Sequence, residues 1–307
     1  MSHLAVVGAG AWGTALAIQA ARAGSHPTIW ARDPARAAPR IPKHIAVTGD
    51  LPGPGYDAIL LVVPVQHLRA VLARFRPQAP VVICAKGIEA DTLALPLEIL
   101  ESLPPGTPCA VLTGPNFAHE IAAGLPAASV VAAIDPALRA RVIALLATPA
   151  FRLYGNDDPV GASLGGAAKN VIAIAAGAVV GAGLGENARA ALITRGLAEL
   201  GRLVAALGGR ADTVAGLSGL GDLLLTCTGP SSRNFRCGLA LGRGQSLAQA
   251  IADSPGVIEG VATAPALIAR AKGVDLPICS AVASLLAGQL TLEDAIQTLL
   301  TRPMRDE

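Results

Sequence analysis

The first half of the chain alternates short apolar runs with amphipathic stretches, and the second half abandons that alternation. Residues 4–8 read as a strand, 12–23 as a helix stopped by Gly24, and 28–31 as a second strand. A third strand is expected over 58–63, closed by Pro64, then a helix over 68–75. Strands follow at 81–85, 110–112 and 129–133, with helices at 93–103 and 136–147 and a short extended piece at 151–154. Strands buried on both faces of a parallel sheet read as continuous Val/Ile/Leu/Ala runs, as these do. Strand and helix in alternation argue for a doubly wound α/β sheet. The texture changes near Asn156-Asp157-Asp158-Pro159. Beyond it no strand is expected. Long Ala/Leu/Gly-rich segments predict helices over 158–183, 187–207, 212–228, 233–242, 246–253, 259–272, 277–287 and 291–301. Two domains are therefore expected, an α/β domain over 1–157 and an all-helical one over 158–307.

A chain of 307 residues suits two domains at ~100–200 residues each. Hydrophobic residues make up 52% and charged ones 15%, which excludes a disordered chain. A net charge of +2 with no Lys/Arg run argues against a nucleic-acid partner. The five cysteines form no Cys-x-x-Cys pair and read as buried free thiols in a reducing cytoplasm. The histidines show no ligand spacing, so no metal site is expected. Two apolar stretches invite a membrane reading. Residues 4–21 lack a basic flank and carry an informative glycine spacing, and 171–185 is short and glycine-rich. Neither is expected to insert into a membrane.

Gly8-Ala9-Gly10-Ala11-Trp12-Gly13 is a G-x-G-x-x-G motif between a predicted strand and a predicted helix. In that setting Gly8 permits a tight turn, Gly10 lets backbone N–H groups approach a pyrophosphate, and Gly13 lets helix and strand sit close. The phosphates meet the positive end of the helix dipole. A Rossmann-type dinucleotide site is the reading; a glycine-rich turn without ligand is the simpler alternative. The second strand ends in Arg32-Asp33. Arginine there accommodates a 2′-phosphate and an acid binds the ribose 2′-OH, so NADP is favoured and NAD stays open.

Lys86 follows the fourth predicted strand and Gly114-Pro115-Asn116 the fifth, at the carboxyl ends where such sheets bind ligands. A surface lysine and a plain turn are the alternatives. Lys169-Asn170 reads as the opening of a long apolar helix with no further charge before Glu186. Burial destabilises a lysine ammonium and readies its proton for transfer between C=O and CH–OH, unless the side chain snorkels from a helix end. Asp222 stands among apolar neighbours, either orienting a hydroxyl or that lysine, or capping a helix. Ser232-Arg233-Asn234 offers hydroxyl, guanidinium and amide in succession, an anion clamp or a capped helix start. Glu259 bonds a ribose or carboxamide, or is an acid in a first helical turn.

Taken together, these segments resemble the bacterial type of NAD(P)-dependent glycerol-3-phosphate dehydrogenase. The resemblance rests on Gly8–Ala17, Ala85-Lys-Gly-Ile-Glu89, Thr113-Gly-Pro-Asn-Phe-Ala118, Gly166-Ala-Ala-Lys-Asn-Val171 and residues 187–196. It continues through Gly216-Leu-Ser-Gly-Leu-Gly-Asp222, residues 225–228, Ser232-Arg-Asn234 and Glu259-Gly-Val261, in the family's order over most of the chain. It implies a Rossmann domain followed by an all-α domain like the C-terminal one of 6-phosphogluconate dehydrogenase. It implies Lys169 as the proton donor when dihydroxyacetone phosphate is reduced. Lys86, Gly114, Asn116, Lys169, Asp222, Ser232, Arg233 and Asn234 fall on substrate positions. Besides Gly8, Gly10, Ala11 and Gly13, the cofactor positions are Trp12, Arg32, Lys86, Ala118, Arg233, Val257 and Glu259. The cofactor implied is NADP or NAD with NADPH preferred, and the setting is cytoplasmic glycerophospholipid synthesis, with room for a homodimer. Two departures stand out. Asn116 replaces the usual Ser, and residues 34–54 are shortened on the adenine side. The rivals are a 2- or 3-hydroxyacid dehydrogenase of the same plan and a non-enzymatic NADP-sensing module.

Overall fold

The computed structural model describes residues 2–101 and 106–302. They form two compact units, Met1–Lys86 with Ala94–Ser163 and Gly87–Leu93 with Leu164–Glu307.

The first unit is built on eight strands: β1 (His3–Val7), β2 (His26–Trp30), β3 (Ala46–Thr48), β4 (Ala58–Leu61), β5 (Val81–Ile83), β6 (Cys109–Thr113), β7 (Ala127–Ala132) and β8 (Phe151–Asn156). Their order is β3-β2-β1-β4-β5-β6-β7-β8. The pairs are parallel except β6/β7, so the sheet is mixed rather than wholly parallel. The helices are α1 (Ala11–Arg22), α2 (Pro34–Ala37), α3 (Val65–Leu72), α4 (Pro96–Glu101), α5 (Ala118–Ala123) and α6 (Pro136–Leu146). Val, Ile, Leu and Ala of β1, β4, β5 and β6 make the core with Leu16, Ala17 and Ala20 of α1. Chain order reverses between β1 and β4, the switch point at which doubly wound sheets bind ligands.

Three short elements escaped the periodicity: β3, α2 and α5. None is long enough to show a period, and α5 buries only Ile121 among its described residues. Lys86 and Gly114 therefore follow the fifth and sixth strands, not the fourth and fifth. The helix expected from 93 begins at Pro96, because Leu93 takes a left-handed φ of 59° and its carbonyl accepts from Arg270 Nη1 at 2.7 Å. Positions 102 and 103 of that expected helix lie outside the described residues.

The second unit is helical, with no strand among its described residues: α7 (Pro159–Gly181), α8 (Gly185–Ala206), α9 (Ala211–Val214), α10 (Asp222–Cys227), α11 (Arg233–Gly242), α12 (Leu247–Ala252), α13 (Glu259–Arg270), α14 (Pro277–Leu286) and α15 (Leu292–Leu300). The stretch expected as one helix over 212–228 is broken into α9, a π turn at Leu217–Gly221, and α10. Helix α7 is apolar and long enough to cross a membrane by composition, yet every residue from 161 to 179 is buried in the fold. Glu199 of α8 is buried too, and its two oxygens accept the N–H groups of Ile278 and Cys279 at 2.6 and 3.1 Å. Burial pushes its carboxyl above the usual range even though these bonds pull the other way. Four cysteines are buried free thiols, whereas Cys109 is only half-buried.

Glycine makes the α7–α11 contact possible. A Cβ on Gly177 would overlap the Phe235 carbonyl oxygen, and one on Gly238 would overlap that of Ile174. Gly181 and Gly242 meet further along the same line. Backbones touch here with no side chain between them. Gly238→Ala is expected to destabilise the protein by about 1–3 kcal/mol, the usual cost of overpacking a tight core. A urea melt with an unchanged midpoint would show that the two helices separate at no cost.

Candidate dinucleotide and dehydrogenase site

Gly8 closes β1 with φ of +125°, and a Cβ there would lie 3.1 Å from the backbone of Val62 and Val63 at the end of β4. A Cβ on Gly13 would run into the Gly8 carbonyl. Gly10, by contrast, faces open space and is the N-cap of α1 with no side-chain cap. Ala11 is exposed beside it and Trp12 half-buried. The first N–H groups of a 12-residue helix are thus left for an outside acceptor, over a position that only glycine leaves clear. These residues fit the pyrophosphate of NAD or NADP.

At the end of β2, Asp33 is spent locally: its carboxylate accepts the Arg36 N–H at 3.1 Å and caps α2. Arg32 is exposed. The shortened 34–54 region is ordered. It forms α2, a 3₁₀ turn at Ala38–Arg40, and β3, and Trp30 Nε1 ties it down by donating to Gly49 O at 2.9 Å. At the next strand ends, Lys86 Nζ donates to Gly114 O at 3.2 Å, so these two predicted residues do meet. Asn116 lies in the same turn, bonded to Ser129 of β7. Ala118 starts α5 and is half-buried.

In the second unit Lys169 does not open a helix. It lies inside α7, buried, with Nζ donating to Asp222 Oδ1 at 2.5 Å and to Thr226 Oγ1 at 2.9 Å. Snorkelling is excluded and the ammonium is held by a buried carboxylate. Asp222 is not a cap; Gly221 holds that position. The π turn and α10 deliver Asp222 and Thr226 four residues apart on one face, and Thr226 Oγ1 donates back to Asp222 O at 2.6 Å. A Cβ on Gly165 would sit 2.5 Å from Ser218 O, so α7 meets the π turn at its backbone. Beside this pair Cys227 is pushed up to about 12 by burial, against the pull of Lys169, and remains a neutral thiol near pH 7.

The Ser232-Arg233-Asn234 run divides in two. Ser232 is buried and its hydroxyl accepts the Phe235 N–H at 3.2 Å, capping α11. Asn234 is buried and its amide is used twice: Oδ1 accepts from Gly260 N at 2.9 Å and Nδ2 donates to Asn170 Oδ1 at 2.8 Å. Asn170 in turn donates to Glu259 Oε2 at 3.4 Å, which joins α7, α11 and α13. Arg233 is exposed and lies over Gly256, where a Cβ would come within 2.5 Å of Nη1. Exposed Val257 follows directly. Thr226 and Ser129 were given no role in sequence, and Asn170 was singled out only as the neighbour of Lys169. Thr226 left a signal, its i+4 spacing from Asp222. Among the described residues no group of three or more His, Cys, Asp or Glu is placed to hold a metal.

Residues 3–139 match the model of the NAD-dependent glycerol-3-phosphate dehydrogenase N-terminus, and 158–297 match that of its C-terminus. The chain belongs to the NAD-dependent glycerol-3-phosphate dehydrogenase family. The glycerol-3-phosphate dehydrogenase [NAD(P)+] of Acidiphilium cryptum is 55% identical over 99% of this chain and 98% of its own. That of Gluconobacter oxydans is 52% identical over 98% and 97%. The crystal structure of glycerol-3-phosphate dehydrogenase from Coxiella burnetii, 36% identical, superposes with a TM-score of 0.93 over 98% of this chain and 99% of that one. The family's Rossmann-type and helical domains are those of the two units, and its cofactor is NAD or NADP.

Proposed function

We propose that the protein interconverts sn-glycerol 3-phosphate and dihydroxyacetone phosphate with NAD(P)H, run mainly as reduction, in the cytoplasm and in supply of glycerophospholipid synthesis. The observation that carries the chemistry is the buried Lys169–Asp222–Thr226 group, a proton donor held in one orientation inside an apolar helix. When bound, the cofactor supplies hydride. Lys169 Nζ donates a proton to the carbonyl oxygen of the substrate, while Asp222 and Thr226 hold the ammonium in line. Arg233 binds the substrate phosphate as a two-pronged donor, aided by the N-terminal N–H groups of α11 that the Ser232 cap leaves over. Asn234 supports that clamp from beneath, since its amide is already committed to Asn170 and Gly260. Lys86, Gly114 and Asn116 serve the substrate from the β5 and β6 turns. Trp12, Ala118, Val257 and Glu259 serve the cofactor. The hydroxyacid reading is not favoured, because relatives at about half identity over nearly the whole chain are named glycerol-3-phosphate dehydrogenases. The assay is NADPH oxidation followed by absorbance, with dihydroxyacetone phosphate compared against hydroxypyruvate and succinate semialdehyde. Turnover of the phosphate substrate alone is expected; preference for either acid refutes the reading.

Arg32 is the residue expected to set the cofactor preference, because Asp33 is tied up as a cap. Charge-assisted bonds to a 2′-phosphate contribute about 1.5–3 kcal/mol. Arg32→Ala should therefore reduce the NADPH-to-NADH ratio of kcat/KM by roughly tenfold or more. An unaltered ratio would leave Arg32 as an ordinary surface residue.

A further inference from the structure

Helix α5 has little of its own to hold it in place. It is six residues long, has no side-chain N-cap and buries only Ile121, whereas an isolated helix shorter than ~12–15 residues is marginal in water. Its hold comes from α1. Ile121 packs with Ala15 of α1 and Phe151 of β8, and half-buried Trp12 and Ala118 close over the same cluster. The two positions read as cofactor contacts, one at the start of each helix, thus share one small apolar patch. At the other end of α5 stands Arg22, in the last turn of α1. Its Nη1 donates to Ile121 O at 2.7 Å and its Nη2 to Ala122 O. Both carbonyls belong to the last turn of α5, where partners within the helix run out. Gly124 makes room for this. It takes φ of +78°, and a Cβ on it would lie only 3.3 Å from Arg22 Cζ. Trp12, Ala15 and Arg22 fall on one face of α1, at i, i+3 and i+10. The rise from Ala11 to Arg22 is about 16 Å, so Arg22 does not touch a pyrophosphate at Gly10.

We propose that Arg22 is a positioning residue for the cofactor: by tying the far end of α5 to α1, it fixes Ala118 against Trp12 and so sets the face that the dinucleotide meets. The inference rests on the cofactor reading of Trp12 and Ala118 and deepens it. A planar guanidinium holds two successive carbonyls at once, and this fixes the direction of a short helix as well as its distance. Without that fork, α5 keeps one buried side chain and can rock on Ile121.

The measurement is the dissociation constant of NADPH with the whole protein, followed by its fluorescence well below the melting temperature. Arg22→Ala should raise it roughly three- to tenfold, within the range by which residues without ligand contact modulate binding. The same variant should keep kcat within about twofold of wild type at saturating NADPH and dihydroxyacetone phosphate. Arg22→Lys reaches one carbonyl only and should bind NADPH with an affinity between the two. Gln19→Met is the comparison for a mere loss of stability. Gln19 ties the same helix to other neighbours, with Nε2 donating to Leu146 O at 2.9 Å and to Thr148 Oγ1 at 3.1 Å. It should lower the melting temperature and leave NADPH binding unchanged. Wild-type affinity in Arg22→Ala, or equal weakening by Gln19→Met, overturns the proposal. Trp12→Ala tests the reading beneath it. Unaltered affinity there refutes the cofactor reading of this face, and the proposal with it. Weakened binding in Trp12→Ala beside wild-type binding in Arg22→Ala refutes the tie alone.

Discussion

Lys169→Met is expected to lower kcat for dihydroxyacetone phosphate by roughly 10²–10⁴, the range for a lost general acid. The methionine fills much of the same space in α7 but carries no proton. The single substitution also strands Asp222, a carboxylate 1% exposed. Breaking a buried pair from one side costs about 3–5 kcal/mol, so the melting temperature is measured beside turnover to separate lost chemistry from lost fold. The double variant Lys169→Met/Asp222→Asn removes both charges and should recover much of the melting temperature without recovering turnover. NADPH binding, followed by its fluorescence, should stay near wild type in both. Retention of a third of wild-type kcat in the single variant would remove Lys169 from the chemistry.

Arg233→Ala should raise KM for dihydroxyacetone phosphate about 100-fold, equivalent to ~2.7 kcal/mol. The structure concentrates this effect on one side chain. Of the three polar residues in succession, Ser232 and Asn234 are buried and engaged within the protein, and only Arg233 reaches out. Ser232→Ala and Asn234→Ala should accordingly act first on stability, through the cap of α11 and its tie to Gly260. Dihydroxyacetone, which has no phosphate, should be a poor substrate of the wild type and should suffer far less from Arg233→Ala. A folding defect would harm both substrates equally, and that outcome would show that Arg233 does not read the phosphate.

Much of this was legible in sequence because it follows from patterns longer than a few residues. The 3.6-residue period of α11 or α13 is long enough to stand out, and the G-x-G-x-x-G turn announces its own backbone geometry. What stayed hidden is short or irregular. Strand β3 has three residues and depends on pairing with β2, a partner that no local window contains. The π turn at Leu217–Gly221 consists of Leu, Ser and Gly alone, the same texture as the Gly-rich helices around it, so the break before Asp222 could not be seen. The site shows the same division. Lys169 and Arg233 were identified by type, but the depth of one and the exposure of the other come from tertiary packing. Lys169 was read as a helix opener although the expected helix already started at 158, and the true start is marked by Asp158, whose carboxylate accepts the Gly161 N–H at 2.8 Å just ahead of Pro159. Ser129 was unreadable, since its role depends on the turn of Asn116 across the β6/β7 ladder.

Helix α7 has a consequence for biosynthesis. Its cover comes from later parts of the chain: the π turn against Gly165, α8 against Ile172, α11 against Gly177 and Gly181, and α13 against Asn170 and Ile174. At about 5–20 residues per second, several seconds pass between emergence of this helix from the ribosome and arrival of α13. For that interval an apolar segment with the composition of a membrane span lacks these later partners. The glycines that later admit α11 also weaken the helix while it waits, because each costs about 1 kcal/mol of helix propensity relative to alanine. The nascent chain is thereby kept from presenting a rigid apolar rod, and the helix acquires its stability together with the partners that hide it.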